Sequence, residues 1–85
     1  MGSPQYLAQV TADIAKLDRG ILETTSLITR CENTDMSQLD ERERAEHINA
    51  LNLARRTKIV LFEARTMLSR LAAEAERKMS GGSAK

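Results

Sequence analysis

The sequence predicts an all-α protein, an antiparallel two-helix hairpin of coiled-coil type, and three observations carry that expectation. Apolar residues recur in alternating steps of three and four from Leu7 to Cys31, the mark of a helix with one buried stripe. A turn-forming segment, Asn33-Thr34-Asp35-Met36-Ser37-Gln38-Leu39, then interrupts the pattern, and a connection this short argues for antiparallel neighbours. From there no glycine or proline occurs until Gly81-Gly82, so a second and longer helix has nothing to break it.

The first helix is expected over residues 4–32. Ser3 is a good N-cap, and Pro4 suits the first helical position, where its missing N–H has no partner to lose. Leu7, Ile14, Ile21 and Ile28 fall at the a positions of a heptad, and Val10, Leu17, Thr24 and Cys31 at d. Only Thr24 is out of character. Gly20 lies inside this helix and costs about 1 kcal/mol relative to alanine; a tolerated interior glycine is the simpler reading, ahead of a site of close approach.

The loop is placed at 33–39 and the second helix at 40–79, with 80–85 as a flexible Gly/Ser-containing tail. Three overlapping capping boxes could start the second helix: Asp35 with Gln38, Ser37 with Asp40, or Asp40 with Glu43. Its opening turns are charged, with i,i+4 pairs available between Asp40 and Arg44 and between Arg42 and Glu46.

On a helical wheel the second helix shows two apolar faces. One carries Ala45, Ile48, Leu51, Ile59 and Phe62, with Asn52, Arg55 and Thr66 alongside. The other carries Ala54, Thr57, Leu61, Ala64, Leu68, Leu71 and Ala75 in three-four steps, flanked by Leu53 and Met79. Folding the chain at the loop brings Ile28 near Ala45, Ile21 near Asn52, Ile14 near Ile59 and Leu7 near Thr66, which pairs the first stripe with helix one. The second stripe then continues past the end of helix one. It is expected to be the surface for another chain, with Leu53, Ala54, Leu61, Ala64, Leu68, Leu71 and Ala75 as the binding residues.

Composition narrows the function classes. A chain of 85 residues is at most one small domain, burying about 60% of its unfolded surface, and such scaffolds usually add a disulfide, a metal or a partner. Cys31 is the only cysteine, which excludes an internal disulfide. A net charge of +1 supplies no field toward nucleic acid or an anionic membrane. Arg55, Arg56, Lys58, Arg65 and Arg70 scatter around the helix without aromatic interleaving, so they read as solvated or snorkelling flanks. The longest bulky apolar run is Ile59-Val60-Leu61-Phe62, far short of the roughly 18 residues of a membrane span. No basic n-region with an apolar h-region opens the chain, and a cytoplasmic setting is expected.

The search for enzyme chemistry yields no catalytic residue, metal site or cofactor motif. His47 is the only histidine; with Glu43 and Asp40 it could form a surface metal site, but an exposed or helix-capping role is the simpler one. Cys31 falls on the seam and reads as a small buried hydrophobe rather than a nucleophile. Ile14 to Leu22 resembles the opening helix of the all-helical chorismate mutases. The arginine which that family needs early in helix one is missing, however, with Gln9, Val10 and Thr11 in its place, and no third helix follows.

The heptad helix from Leu7 to Cys31, the polar loop from Asn33 to Leu39 and the apolar second helix from Ile48 to Leu71 resemble the small two-helix co-chaperones of type III secretion needle subunits. That resemblance is architectural and covers most of the chain. It implies a cytoplasmic hairpin that docks on a tetratricopeptide-like partner and helps hold a needle subunit unpolymerised. The expectation is therefore a non-enzymatic adaptor or co-chaperone subunit with a helical protein partner. The alternative is a structural homo-oligomer, a dimeric four-helix bundle with no client.

Overall fold

The computed structural model describes the backbone from Pro4 to Ala84 and the side chains of residues 4–80; the expected N-cap Ser3 lies outside the described residues. Two helices account for the chain: α1, Pro4–Glu32, and α2, Glu41–Ala84, joined through a single 3-10 turn at Met36–Gln38. At about 1.5 Å per residue, the 44 residues of α2 span the whole long dimension of a molecule measuring 67 × 16 × 14 Å. The 29 residues of α1 pack along about two thirds of it. The radius of gyration of 19.2 Å compares with about 12 Å for a compact chain of this length, so this is a rod.

The heptad of α1 forms the seam as expected. Val10 and Ile28 are buried, and Leu7, Ile14, Leu17, Ile21, Thr24 and Cys31 are half-buried. The C-terminus of α1 is closed by hydrogen bonds from the connector. The Asn33 amide donates to Thr29 O (3.0 Å) and the Thr34 amide to Cys31 O (3.3 Å), while the Thr34 hydroxyl donates to Arg30 O (2.9 Å). His47 Nε2 also lies 2.9 Å from Cys31 O, which makes His47 a cap on the other helix.

Of the three possible capping boxes one forms, between Asp40 and Glu43, while Asp35 caps the 3-10 turn through Ser37 instead of forming the box with Gln38. The Asp35 carboxylate accepts from the Ser37 amide (3.1 Å) and hydroxyl (2.6 Å), fixing the 3-10 turn. Those hydrogen bonds to Ser37 hold its carboxyl below the ordinary value of 3.8. Asp40 starts α2 by a reciprocal box: the Glu43 amide donates to Asp40 Oδ1 (2.8 Å) and the Asp40 amide to Glu43 Oε1 (3.0 Å). With Asp40 so engaged, Arg44 donates instead to Met36 O (3.0 Å); the second expected pair, Arg42–Glu46, forms at 3.2 Å.

At the other end α2 runs to Ala84, five residues past the boundary expected at 79. No glycine among the described residues takes a positive φ, so Gly81-Gly82 does not make the left-handed cap that commonly stops a helix.

The assignment of the two stripes is reversed. On α2, the residues against α1 are His47, Leu51, Ala54, Lys58, Leu61, Ala64, Arg65, Leu68, Ala72 and Ala75, all buried or half-buried. Ala54, Leu61, Ala64, Leu68 and Ala75, expected to await another chain, thus line the hairpin's own seam; Ala54 and Ala75 are 6% and 4% exposed. Ile48, Ile59 and Phe62, expected inside, are about half exposed or more. Leu53 and Leu71, the remaining two expected binding residues, do stay outside.

Two physical causes account for the reversal. Seating the first stripe would press Asn52 and Arg55 onto the Ile/Leu seam of α1 without partners, and unpaired buried polar groups are costly. The register also differs. Gly20 lies beside Leu61 and Asp18 beside Arg65, about two turns further along α2 than a simple fold-back at the loop would place them. The first turns of α2 overshoot α1 and pack on the connector through Arg44 and Met36. As a consequence α1 reaches as far as Ala72 and Ala75, and most of the second stripe is covered.

Candidate interaction surface

On α2 the fully buried apolar side chains are alanines, the seam leucines are half-buried, and several large apolar residues remain outside. The buried apolar residues of the hairpin are Val10, Ile28, Ala54, Ala72 and Ala75. Among the described residues no side chain is completely enclosed, whereas eleven large apolar ones are exposed. Seven of these lie on α2 between Ile48 and Leu71, so the exposure is concentrated rather than scattered. The accessible surface of 6613 Å² exceeds the roughly 5,000 Å² of a compact monomer of this mass.

These seven residues form two flanks beside the seam. Taking Leu61 as the reference and about 100° per residue, Ile48, Ile59 and Phe62 lie on one side, turned about 100–160° from Leu61. Leu53, Val60, Met67 and Leu71 lie on the other, turned about 80–120° in the opposite sense.

Charge separates the flanks. Both ion pairs between the helices are on the Phe62 side: Arg55 with Glu32 at 2.8 Å and Arg65 with Asp18. All four side chains are 40–50% exposed, so each pair steers register more than it stabilises. A shallow apolar groove lined by Ile59, Phe62, Glu63, Thr66 and Met67 runs from this flank across the outer face of α2 to the other. The opposite flank carries no charge at its apolar positions between Ala50 and Leu71, and Arg56 lies at its outer edge. This flank begins in a depression between the two helices lined by Thr24, Leu27, Ala50, Leu53, Ala54 and Thr57. Thr57 is no obstacle to desolvation there, because its hydroxyl donates to Leu53 O (2.9 Å) within the helix.

The uncharged flank has a regular spacing that sequence reading missed. Ala50, Leu53, Thr57, Val60, Ala64, Met67 and Leu71 follow three-four steps, a second heptad seam that shares Ala64 with the first and is turned from it by about 70°, its most exposed members by about 100°. Its signal was present in the sequence but was split, with Leu53 treated as a flank and Thr57, Ala64 and Leu71 merged into the neighbouring stripe.

The residues considered for chemistry are engaged structurally or stand apart. His47 caps α1, Cys31 is a half-buried free thiol on the seam, and no group of three or more metal-capable side chains gathers among the described residues. Among those residues no helix is long and apolar enough to cross a membrane. The chain matches no protein-family model, no curated protein and no solved structure.

Proposed function

We propose that the chain is a non-enzymatic helix-binding module that uses the exposed flanks of α2 between Ile48 and Leu71, rather than the stripe that closes the hairpin. One observation carries this reading: large apolar side chains are concentrated outside while mostly alanines are buried. Burying a Leu, Val, Ile or Phe side chain contributes roughly 1.5–3 kcal/mol each, so several of them give a partner a large gross gain, partly offset by association costs. A helical partner suits a straight, narrow ridge with three-four spacing, which meshes with the ridges of another helix. The hairpin layout also supports carrying the co-chaperone role forward as part of this proposal, in a cytoplasmic setting and with a helical client complex.

Photo-crosslinking in the producing cell tests the reading. A photoreactive amino acid placed at Leu53, Ile59, Val60 or Met67 is expected to give discrete adducts, and one at Glu41 or Arg42, outside the span from Ile48 to Leu71, few. Equal yields from the apolar and the charged positions would sink the proposal.

A further inference from the structure

We propose that the outer seam of α2 pairs with the same seam of a second copy of this chain, antiparallel, so that two hairpins close a four-helix bundle. This rests on the reading of α2 as a helix-binding surface and names its occupant.

The first argument is angular. In a four-helix bundle each helix has two packed neighbours at about a right angle. The inner seam of α2 faces α1, and the outer seam is turned from it by about 70–100°, which is where the second neighbour of such a bundle stands. Leu53, Val60 and Met67 on this seam are each more than 60% exposed.

The second argument is the symmetry of the seam. From Leu53 to Leu71 its steps read the same in both directions about a point level with Phe62, and the same centre sets Ala50 opposite Glu74 of the other copy, at the edge of the seam. An antiparallel copy set on that point brings Leu53 against Leu71 of the other copy, Thr57 against Met67 and Val60 against Ala64. The inner layers thus match a larger side chain with a smaller one, the arrangement that fills a helix interface evenly. The same register, extended one heptad outward at each end, sets Glu46 opposite Lys78 of the other copy, twice by symmetry. Both are exposed. A parallel pairing would instead oppose Glu46 to Glu46 and Lys78 to Lys78, and would stack Ala64 on Ala64 over a gap. The antiparallel choice also aligns the two helix dipoles favourably.

The third argument is area. The excess of about 1,600 Å² over a compact monomer exceeds the roughly 800 Å² per partner of a standard interface, so closing the seam lies within what this rod exposes.

Sedimentation equilibrium of the full chain across the micromolar range is the test. The expected mass is twice 9.5 kDa. Val60→Glu with Met67→Glu should return a helical monomer, with association weakened at least about 100-fold by unpaired charges forced into the seam. Ile59→Glu with Phe62→Glu, on the opposite flank, should leave the mass unchanged. Lys78→Glu should weaken the dimer about tenfold, and adding Glu46→Lys should restore it. That swap also carries the test if the seam variant loses helix content, since it alters only exposed ends.

A wild-type monomer at every concentration overturns the second copy as occupant, as does a dimer that survives the seam variant or dissociates with Ile59→Glu and Phe62→Glu. A swap that fails to rescue overturns the antiparallel register. The wider helix-binding reading would still stand if a monomer gave cross-links to another protein from Val60 and Met67, and would fall with this one if no cross-links formed.

Discussion

Gly20→Ala should make the protein more stable, and its sign tests the packing between the helices. Gly20 lies near the middle of α1 and opposite Leu61. A methyl group built on it would sit 3.5 Å from Leu61 Cδ1 and 3.9 Å from Cδ2, which is ordinary van der Waals contact. Nothing has to move. Replacing an interior helical glycine by alanine then contributes about 0.8–1 kcal/mol through backbone entropy. The new methyl adds a fraction of the ~0.8 kcal/mol of a fully buried carbon, since the site is only half-buried. The sum is about 1–1.5 kcal/mol, and each kcal/mol raises the Tm of a domain of this size by about 4–8 °C. Urea and thermal melts followed by helical circular dichroism, at one fixed protein concentration, should show a higher midpoint with an unchanged urea slope. A lower midpoint would refute the reasoning: it would mean that the open Cα is needed by a backbone closer than Leu61.

Three further outcomes follow from the same structure. Asp40→Ala removes the carboxylate that accepts from the Glu43 amide at the start of α2 and should cost about 1 kcal/mol, with amide exchange at Glu43 accelerating before that of the helix centre. Leu61→Asp places a charge on the inner seam and should destabilise the hairpin by roughly 3 kcal/mol, whereas Val60→Asp, on the exposed seam, should change the hairpin's own stability by at most about 0.5 kcal/mol; denaturation at a dilution where the chain is monomeric separates them, and equal costs would contradict the inner and outer assignment. Asp35 has a carboxyl held below its ordinary value of 3.8, so its contribution to the turn is complete above that value and is lost as pH falls through the lower folded value. Acidification should lower the protection of the Ser37 amide relative to its intrinsic exchange rate, and Asp35→Asn should abolish that pH dependence.

The sequence made α1 legible because the information there is local. A seam of three-four steps needs no knowledge of the partner helix, and the Asp35 and Asp40 caps are hydrogen bonds across two or three residues. The face of α2 was harder because it is decided at a distance. Apolar residues occur on three sides of α2, so periodicity alone cannot rank them. The deciding facts were the polar interruptions, Asn52 and Arg55, and the overshoot of α2 past α1, made by Arg44 and the capped turn at Met36–Gln38. The interruptions were readable beforehand. The overshoot was not, because a loop's residue count bounds its reach without fixing the level at which the next helix starts.

The distribution of side-chain size explains why a partner is called for even with the hairpin closed. Alanines at positions 54, 72 and 75 let α1 approach closely, so the inner seam is tight, but an alanine has little apolar surface to bury. Leu53, Val60, Met67 and Leu71, each with more to gain, remain 41–64% exposed. A chain this short already retains only a thin margin over its conformational entropy, and here Leu53, Val60, Met67 and Leu71 hold hydrophobic gain that the hairpin leaves unused. Any contact that covers the outer seam therefore does two things at once: it associates two chains and it completes the stabilisation of each. Folding and association become coupled, and the melting temperature should rise with protein concentration. A melting temperature independent of concentration would show that the alanine seam suffices by itself and that the large residues on α2 contribute nothing to the stability of the fold.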